Sequence, residues 1–127
     1  MNPFEILEKH KKKIEAYKAH LDSMSMTIKN TERIMSELPQ TSGDFHFSIS
    51  DDEASQITLI WCKNSANKWR IFYEEIEWGQ KIHFKPLIEC PIAQREKAYP
   101  HLEAFMEGYF QQLPLIESLK DINNKEK

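Results

Sequence analysis

Glycine is scarce in this chain, with three among 127 residues, and that scarcity removes several classes of chemistry at once. A loop that cradles phosphate in the G-x-x-x-x-G-K or G-x-G-x-x-G manner needs glycines a few positions apart, and Gly43, Gly79 and Gly108 are widely separated. The G-x-S-x-G turn of serine hydrolases is missing too. Cysteine is rarer still. Cys62 and Cys90 form no C-x-x-C pair, so neither a zinc ribbon nor a disulfide framework is expected, and both should be reduced thiols. Cys62 reads as a small apolar filler within a strand, while Cys90, before Pro91, can stand exposed with no nearby pattern to supply a base.

Other absences narrow the field further. The histidines at 10, 20, 46, 83 and 101 make no H-E-x-x-H, and although His46 and His83 fall on different expected strands and could meet across a sheet, no metal-ligand spacing supports them. Asp51, Asp52 and Glu53 lack the alternating ligands of a calcium loop, and Glu74, Glu75 and Glu77 sit too close together to define a carboxylate pair across a cleft. No catalytic residue, cofactor or metal is therefore expected, and the chain reads as non-enzymatic. No apolar run approaches the about 18 residues of a membrane span, and Met1 to Lys13 is too charged for a secretory signal, so a cytoplasmic, non-membrane placement is expected. Basic excess is also lacking. Seventeen Lys and Arg face 20 Asp and Glu, for a net charge of -3. A protein whose main task is gripping nucleic-acid phosphates would carry the opposite balance.

What is present is a heptad ladder. Leu7, Ile14, Leu21, Ile28 and Met35 recur every seventh residue, and His10, Tyr17, Met24, Thr31 and Leu38 follow each by three. No proline or glycine interrupts it. An apolar stripe of this length is normally buried against another helix. Asn2 suits an N-cap, Pro3 the first helical position and Glu5 the positive end of the helix dipole, while Pro39 stops the helix near Leu38. Roughly 35 helical residues would span ~50 Å, longer than a domain of this size. The helix must therefore break, near the weak helix formers Ser23, Ser25 and Thr27, or project toward another chain.

From Asp44 the apolar period changes from helical to alternating. Phe45, Phe47 and Ile49 share one face, as do Ile57, Leu59 and Trp61, then Trp69, Ile71 and Tyr73, and a fourth strand runs through Ile82 and Phe84 toward Leu87. Short polar turns between consecutive strands favour an antiparallel meander. Ile60 and Phe72 make the second face apolar at its centre, so either helices cover both faces or one is a binding surface. After Pro91 a short helix from Ala93 to Tyr99 precedes a core helix bearing Leu102, Phe105, Met106, Tyr109, Phe110 and Leu113, and Pro114 separates off a last helix with Leu115, Ile116, Leu119 and Ile122.

These readings give one α+β domain over residues 1–127. It comprises a long N-terminal helix (1–38), a four-stranded antiparallel β-meander (44–90), C-terminal helices packed on the sheet (92–122) and a frayed tail (123–127). The expected function is a protein-binding module, an adaptor, inhibitor or chaperone-like factor acting through its helix or its aromatic sheet. The helix seam would be Leu7, Ile14, Tyr17, Leu21, Met24, Ile28 and Met35. The stripe either packs on the chain's own C-terminal helices or sheet or forms a homodimer, and a homodimer would be antiparallel, because a parallel pair would set Lys13 beside Lys18 whereas an antiparallel one brings the basic half toward Glu32. The alternative is a nucleic-acid-associated accessory factor using Lys9, Lys11, Lys12 and Lys13, a run that on most helices is simply solvated.

Overall fold

Asn2 caps the first helix as its chemistry dictates, its side-chain oxygen accepting the Glu5 N–H at 2.9 Å with Pro3 at the first helical position. The computed structural model describes residues 2–40 and 43–113. Helix α1 (Pro3–Lys9) and helix α2 (Lys11–Ser36) follow one another with an interruption at His10, whose φ of -106° and ψ of 11° leave helical geometry. Its N–H is shared between the Ile6 and Leu7 carbonyls at 3.3 and 3.2 Å, and the Ile14 N–H then bonds to the His10 carbonyl at 3.0 Å. The break therefore lies at His10 and not in the Ser23 to Thr27 stretch. There the hydroxyls of Thr27 and Thr31 donate to the carbonyls of Ser23 and Thr27, four residues back, and the helix runs through them.

The sheet is an antiparallel meander in the order β1 (Phe45–Asp51), β2 (Ser55–Lys63), β3 (Trp69–Glu77), β4 (Gln80–Pro86). Each hairpin has its own local cause. Asp52 accepts the Ala54 N–H in the first turn, and Asn64 accepts those of Ala66 and Lys68 in the second. In the third, Trp78 and Gly79 both have positive φ, 51° and 80°, the two-residue turn whose twist matches the flanking strands. Phe45 pairs with Trp61 and Trp61 with Ile71, so the inward residues of three strands line up across one face.

That face is the core. Met24, Ile28 and Met35 of α2 pack with Leu59, Trp61, Ile71 and Tyr73 of the sheet. The same cluster takes Leu87 from a one-turn segment (Leu87–Glu89), Ala98 from helix α3 (Ile92–Ala98), and Leu102, Phe105 and Tyr109 from helix α4 (Leu102–Gln111). Gly108 lets α4 approach the sheet closely, since a Cβ there would lie 3.1 Å from the ring of Phe45. Gln40 closes the end of this layer. Its oxygen accepts the Trp61 indole N–H at 2.7 Å and the Tyr109 hydroxyl at 3.0 Å, while its amide nitrogen donates to the carbonyls of Met35 and Leu38. Arg95 ties α3 to α2 by donating to Ser25 at 2.8 Å.

In β4, Ile82 and Phe84 point outward and His83 takes the inward place, next to a register shift at Ile82. Two expectations change here. Phe110 is 39% exposed and Met106 only partly buried, so α4 uses a narrower stripe than the full apolar set. Among the described residues, the helices that join the core lie on one face, whereas coverage of both faces was one of the two expected arrangements. The C-terminal helix with Leu115, Ile116, Leu119 and Ile122, and the tail, lie outside the described residues.

The split between Phe105 and Phe110 is measurable. Phe105→Ala should cost about 3 to 5 kcal/mol, since the ring is wholly buried among aromatic neighbours, and Phe110→Ala should cost less than about 1 kcal/mol. Urea unfolding of both variants checks this, and similar losses at the two positions would contradict the packing.

Candidate functional site

The heptad ladder divides at about Leu21. Met24, Ile28, Thr31 and Met35 are buried in the chain's own core, so these seam positions are satisfied internally. Leu21 packs at the core's margin. Toward the N-terminus the same stripe is uncovered: Leu7 is 56% exposed, Tyr17 51%, and α1 has no buried residue. Phe4, 80% exposed, and Ile6 widen the apolar surface. Tyr17 donates to Glu96 at 3.3 Å and His20 meets Tyr99 edge to face at 6.1 Å, so the helix leaves the domain near Tyr17 and everything before it overhangs. Leu7 and Ile14 floor a shallow groove of about 210 Å³ along this overhang.

Charge flanks that groove. Lys11 and Lys18, with Glu8 and Glu15 between and beside them, border one side of the seam and Lys13 the other, with Lys9 and Lys12 behind, and none of the five lysines makes an ion pair among the described residues. Two such overhangs laid antiparallel, with Leu7 opposite Tyr17, would bring Lys11 near Lys11 and Lys13 near Lys13; laid parallel, they would bring Lys13 near Lys18. Both orientations set like charges together. The acidic end that made antiparallel self-pairing attractive is already engaged. Glu32 binds Arg70 Nε at 2.8 Å and accepts the Ile71 N–H at 3.4 Å, filling the place beside β3 where β4 has ended.

The second apolar surface is the outer face of the sheet. Ile60, Cys62 and Phe72 form a small cluster of their own, and Phe84 stacks on Phe72 with centroids 4.8 Å apart and planes 12° apart. Lys81 lies over Phe84 and pairs with Glu74 at 3.2 Å, so this face carries both signs of charge. Trp78 stands 77% exposed at the hairpin beside it.

Among the described residues, chemistry-bearing side chains do not converge on either surface. His46 and His83 lie on opposite edge strands and do not meet. Cys90 is buried, not exposed, and does have a histidine beside it: His83 Nε2 lies 3.4 Å from its sulfur, with the Pro86 carbonyl at the same distance. Burial pushes the Cys90 thiol up to about 11 despite the nearby cations Lys85 and Arg95, and burial likewise raises Cys62 to about 11. Neither sulfur is a thiolate at neutral pH, which suits packing better than nucleophilic attack. Tyr73 donates to Glu75 at 2.8 Å within the core, and its phenol is held well above the usual range by burial and then by that carboxylate. Among the described residues no three His, Cys, Asp or Glu side chains are grouped to hold a metal ion, and no helix is long and apolar enough to cross a membrane.

Sequence patterns place Glu32 beside the helix seam but do not pair it with Arg70, and they give Gln40 and Arg95 no role. Glu32 and Arg70 are 38 residues apart and Trp61 and Gln40 are 21 apart, on different elements, so no spacing rule joins them. Comparison with known family models, characterised proteins and solved structures finds no match to this chain.

Two outcomes follow from these environments. Raised thiol values mean that labelling of native Cys62 and Cys90 by a thiol reagent stays slow at pH 8 and accelerates as pH climbs toward about 11, whereas both react promptly in urea. Equal rates in folded and unfolded protein at pH 8 would contradict the burial. Burial also raises the Glu32 carboxyl, outweighing its attraction to Arg70. The folded state therefore holds that proton more tightly than the unfolded chain, and the stabilisation is lost as pH rises from about 4. Unfolding across the acid range should show Glu32→Gln gaining on the wild type as pH increases, and the opposite trend would contradict the direction of the shift.

Proposed function

We propose that this protein is a non-enzymatic binding module, an adaptor, inhibitor or chaperone-like factor, that docks its N-terminal overhang on an acidic amphipathic helix of a partner protein. The observation that carries the reading is the split heptad ladder: one apolar stripe is core beyond Leu21 and open before it, with Phe4, Leu7 and Tyr17 more than half exposed. An apolar stripe with polar flanks fits the seam of a paired helix. The flanks select the partner. Lys9, Lys11, Lys12, Lys13 and Lys18 outweigh Glu5, Glu8 and Glu15, so the overhang is net positive, which disfavours a second copy of itself and favours a helix with Glu or Asp at its flanking positions. The two protonated, buried thiols and the lack of converging ionisable groups among the described residues favour binding over catalysis.

The test uses the whole chain and a designed heptad peptide with Leu along its seam and Glu at its flanks. The peptide should gain helix by circular dichroism and sediment with the protein. Ile14→Glu should abolish the complex, Lys11→Glu with Lys13→Glu should weaken it tenfold or more, and a peptide with Lys flanks should not bind. These positions are chosen ahead of Leu21, where a charge would also disturb the core. A wild type that sediments as a dimer and is split by Ile14→Glu would replace the acidic partner with self-pairing. Salt-sensitive binding of duplex DNA or RNA, lost on removing the same lysines, would replace it with nucleic-acid association.

A further inference from the structure

At the opposite end of α2 from the overhang, its last turns and the β2–β3 turn border an open cleft of about 530 Å³, within the range of small-molecule sites. Its walls carry four cationic side chains, Lys29 and Arg33 from the helix and Lys68 and Arg70 from the turn and β3, against the single carboxylate Glu32. Glu32 is spoken for by Arg70 Nε and the Ile71 N–H. Arg70 spends only that nitrogen: its two terminal nitrogens make no hydrogen bond with a described residue, and its side chain remains 27% exposed. Lys29 and Lys68 have no ion partner among the described residues, and Arg33 has only the exposed Glu37 at 3.2 Å, a contact of the weakly stabilising surface kind.

Lys68 is positioned by the turn itself. Its N–H is held by the Asn64 side chain at 3.0 Å, and the Asn64 N–H bonds to the Lys68 carbonyl at 2.8 Å. Between the cations lies Trp69, partly buried, its ring stacked on Trp61 at 5.9 Å and 20° and with the Lys63 ammonium 5.6 Å from its centroid, a group that a stacking base would displace or pair through its phosphates. A braced indole gives a planar surface, and forked guanidinium and ammonium groups beside it match phosphate oxygens.

From this juxtaposition we infer that the cleft binds a nucleotide, its base against Trp69 and its phosphates among Lys29, Lys68 and Arg70. The same chemistry comes from a free nucleotide or from the phosphorylated end of a single strand. The site is separate from the overhang and does not depend on the helix-docking reading.

Nitrogen-15 NMR of the full chain reads the site directly, with the Trp69 indole signal assigned through Trp69→Phe. Titration with ADP, and separately with a 5′-phosphorylated trinucleotide, should shift the Trp69 indole and Arg70 Nε–H signals saturably, and the tighter of the two identifies the source. Lys29→Glu combined with Lys68→Glu should weaken binding at least tenfold with the remaining spectrum unchanged, while Lys11→Glu with Lys13→Glu should leave it within twofold. Three results overturn the inference: no saturable shift with either probe at millimolar concentration, pyrophosphate binding as tightly as ADP with the Trp69 signal unmoved, or an affinity that follows Lys11 and Lys13 in place of Lys29 and Lys68.

Discussion

The whole arrangement rests on burial of Met24, Ile28 and Met35 against one face of the sheet. Strands of seven to nine residues extend about 23 to 30 Å at ~3.3 Å per residue, whereas α1 and α2 together reach ~50 Å. A helix anchored by its C-terminal half on a shorter sheet cannot keep its N-terminal half over that sheet. The overhang, its exposed apolar stripe and its solvent-facing lysines all follow from this mismatch in length.

Gathering the core helices on one side has a second consequence, because a single-layered cover leaves the ends and edges of the sheet to be closed by polar groups. Gln40 takes the Trp61 indole N–H, Glu32 takes the Ile71 N–H where β4 no longer pairs, and Arg95 bridges α3 to α2. The first two satisfy a donor that would otherwise be stranded in a partly dry environment, and an unmet donor of that kind costs more than an ordinary hydrogen bond returns. The raised Glu32 carboxyl shows that the closure has a penalty, since burial outweighs the pull of Arg70. The same contacts leave Arg70 with two unused nitrogens facing a cleft, so closing the edge also shapes the cation-lined hollow around Trp69.

Helix α2 thus connects two cationic surfaces of different character. Near its start, lysines flank an apolar stripe on a convex overhang, a geometry for another helix. Near its end, lysine and arginine surround an indole in a concave site, a geometry for a small anion with a planar part. Both are local concentrations of positive charge in a chain whose net charge is -3.

The sequence by itself determined the α+β class, the order of elements and the strand faces, because apolar periodicity, Asn2, Pro3, Pro39 and the turn residues act within a few positions of themselves. Alternation placed Phe45, Phe47, Leu59, Trp61, Ile71 and Tyr73 on the inner face, where they lie. Periodicity could not say where along the ladder intramolecular packing ends, since Leu7 and Ile28 hold identical seam positions and differ only in whether a sheet lies beneath them. Nor could it assign Phe84 to the outer face, bring His83 to Cys90, or join Glu32 to Arg70 across 38 residues. Those were decided by tertiary structure, because relative strand registers and the lengths of helix and sheet, not the local chain, set which side chains meet.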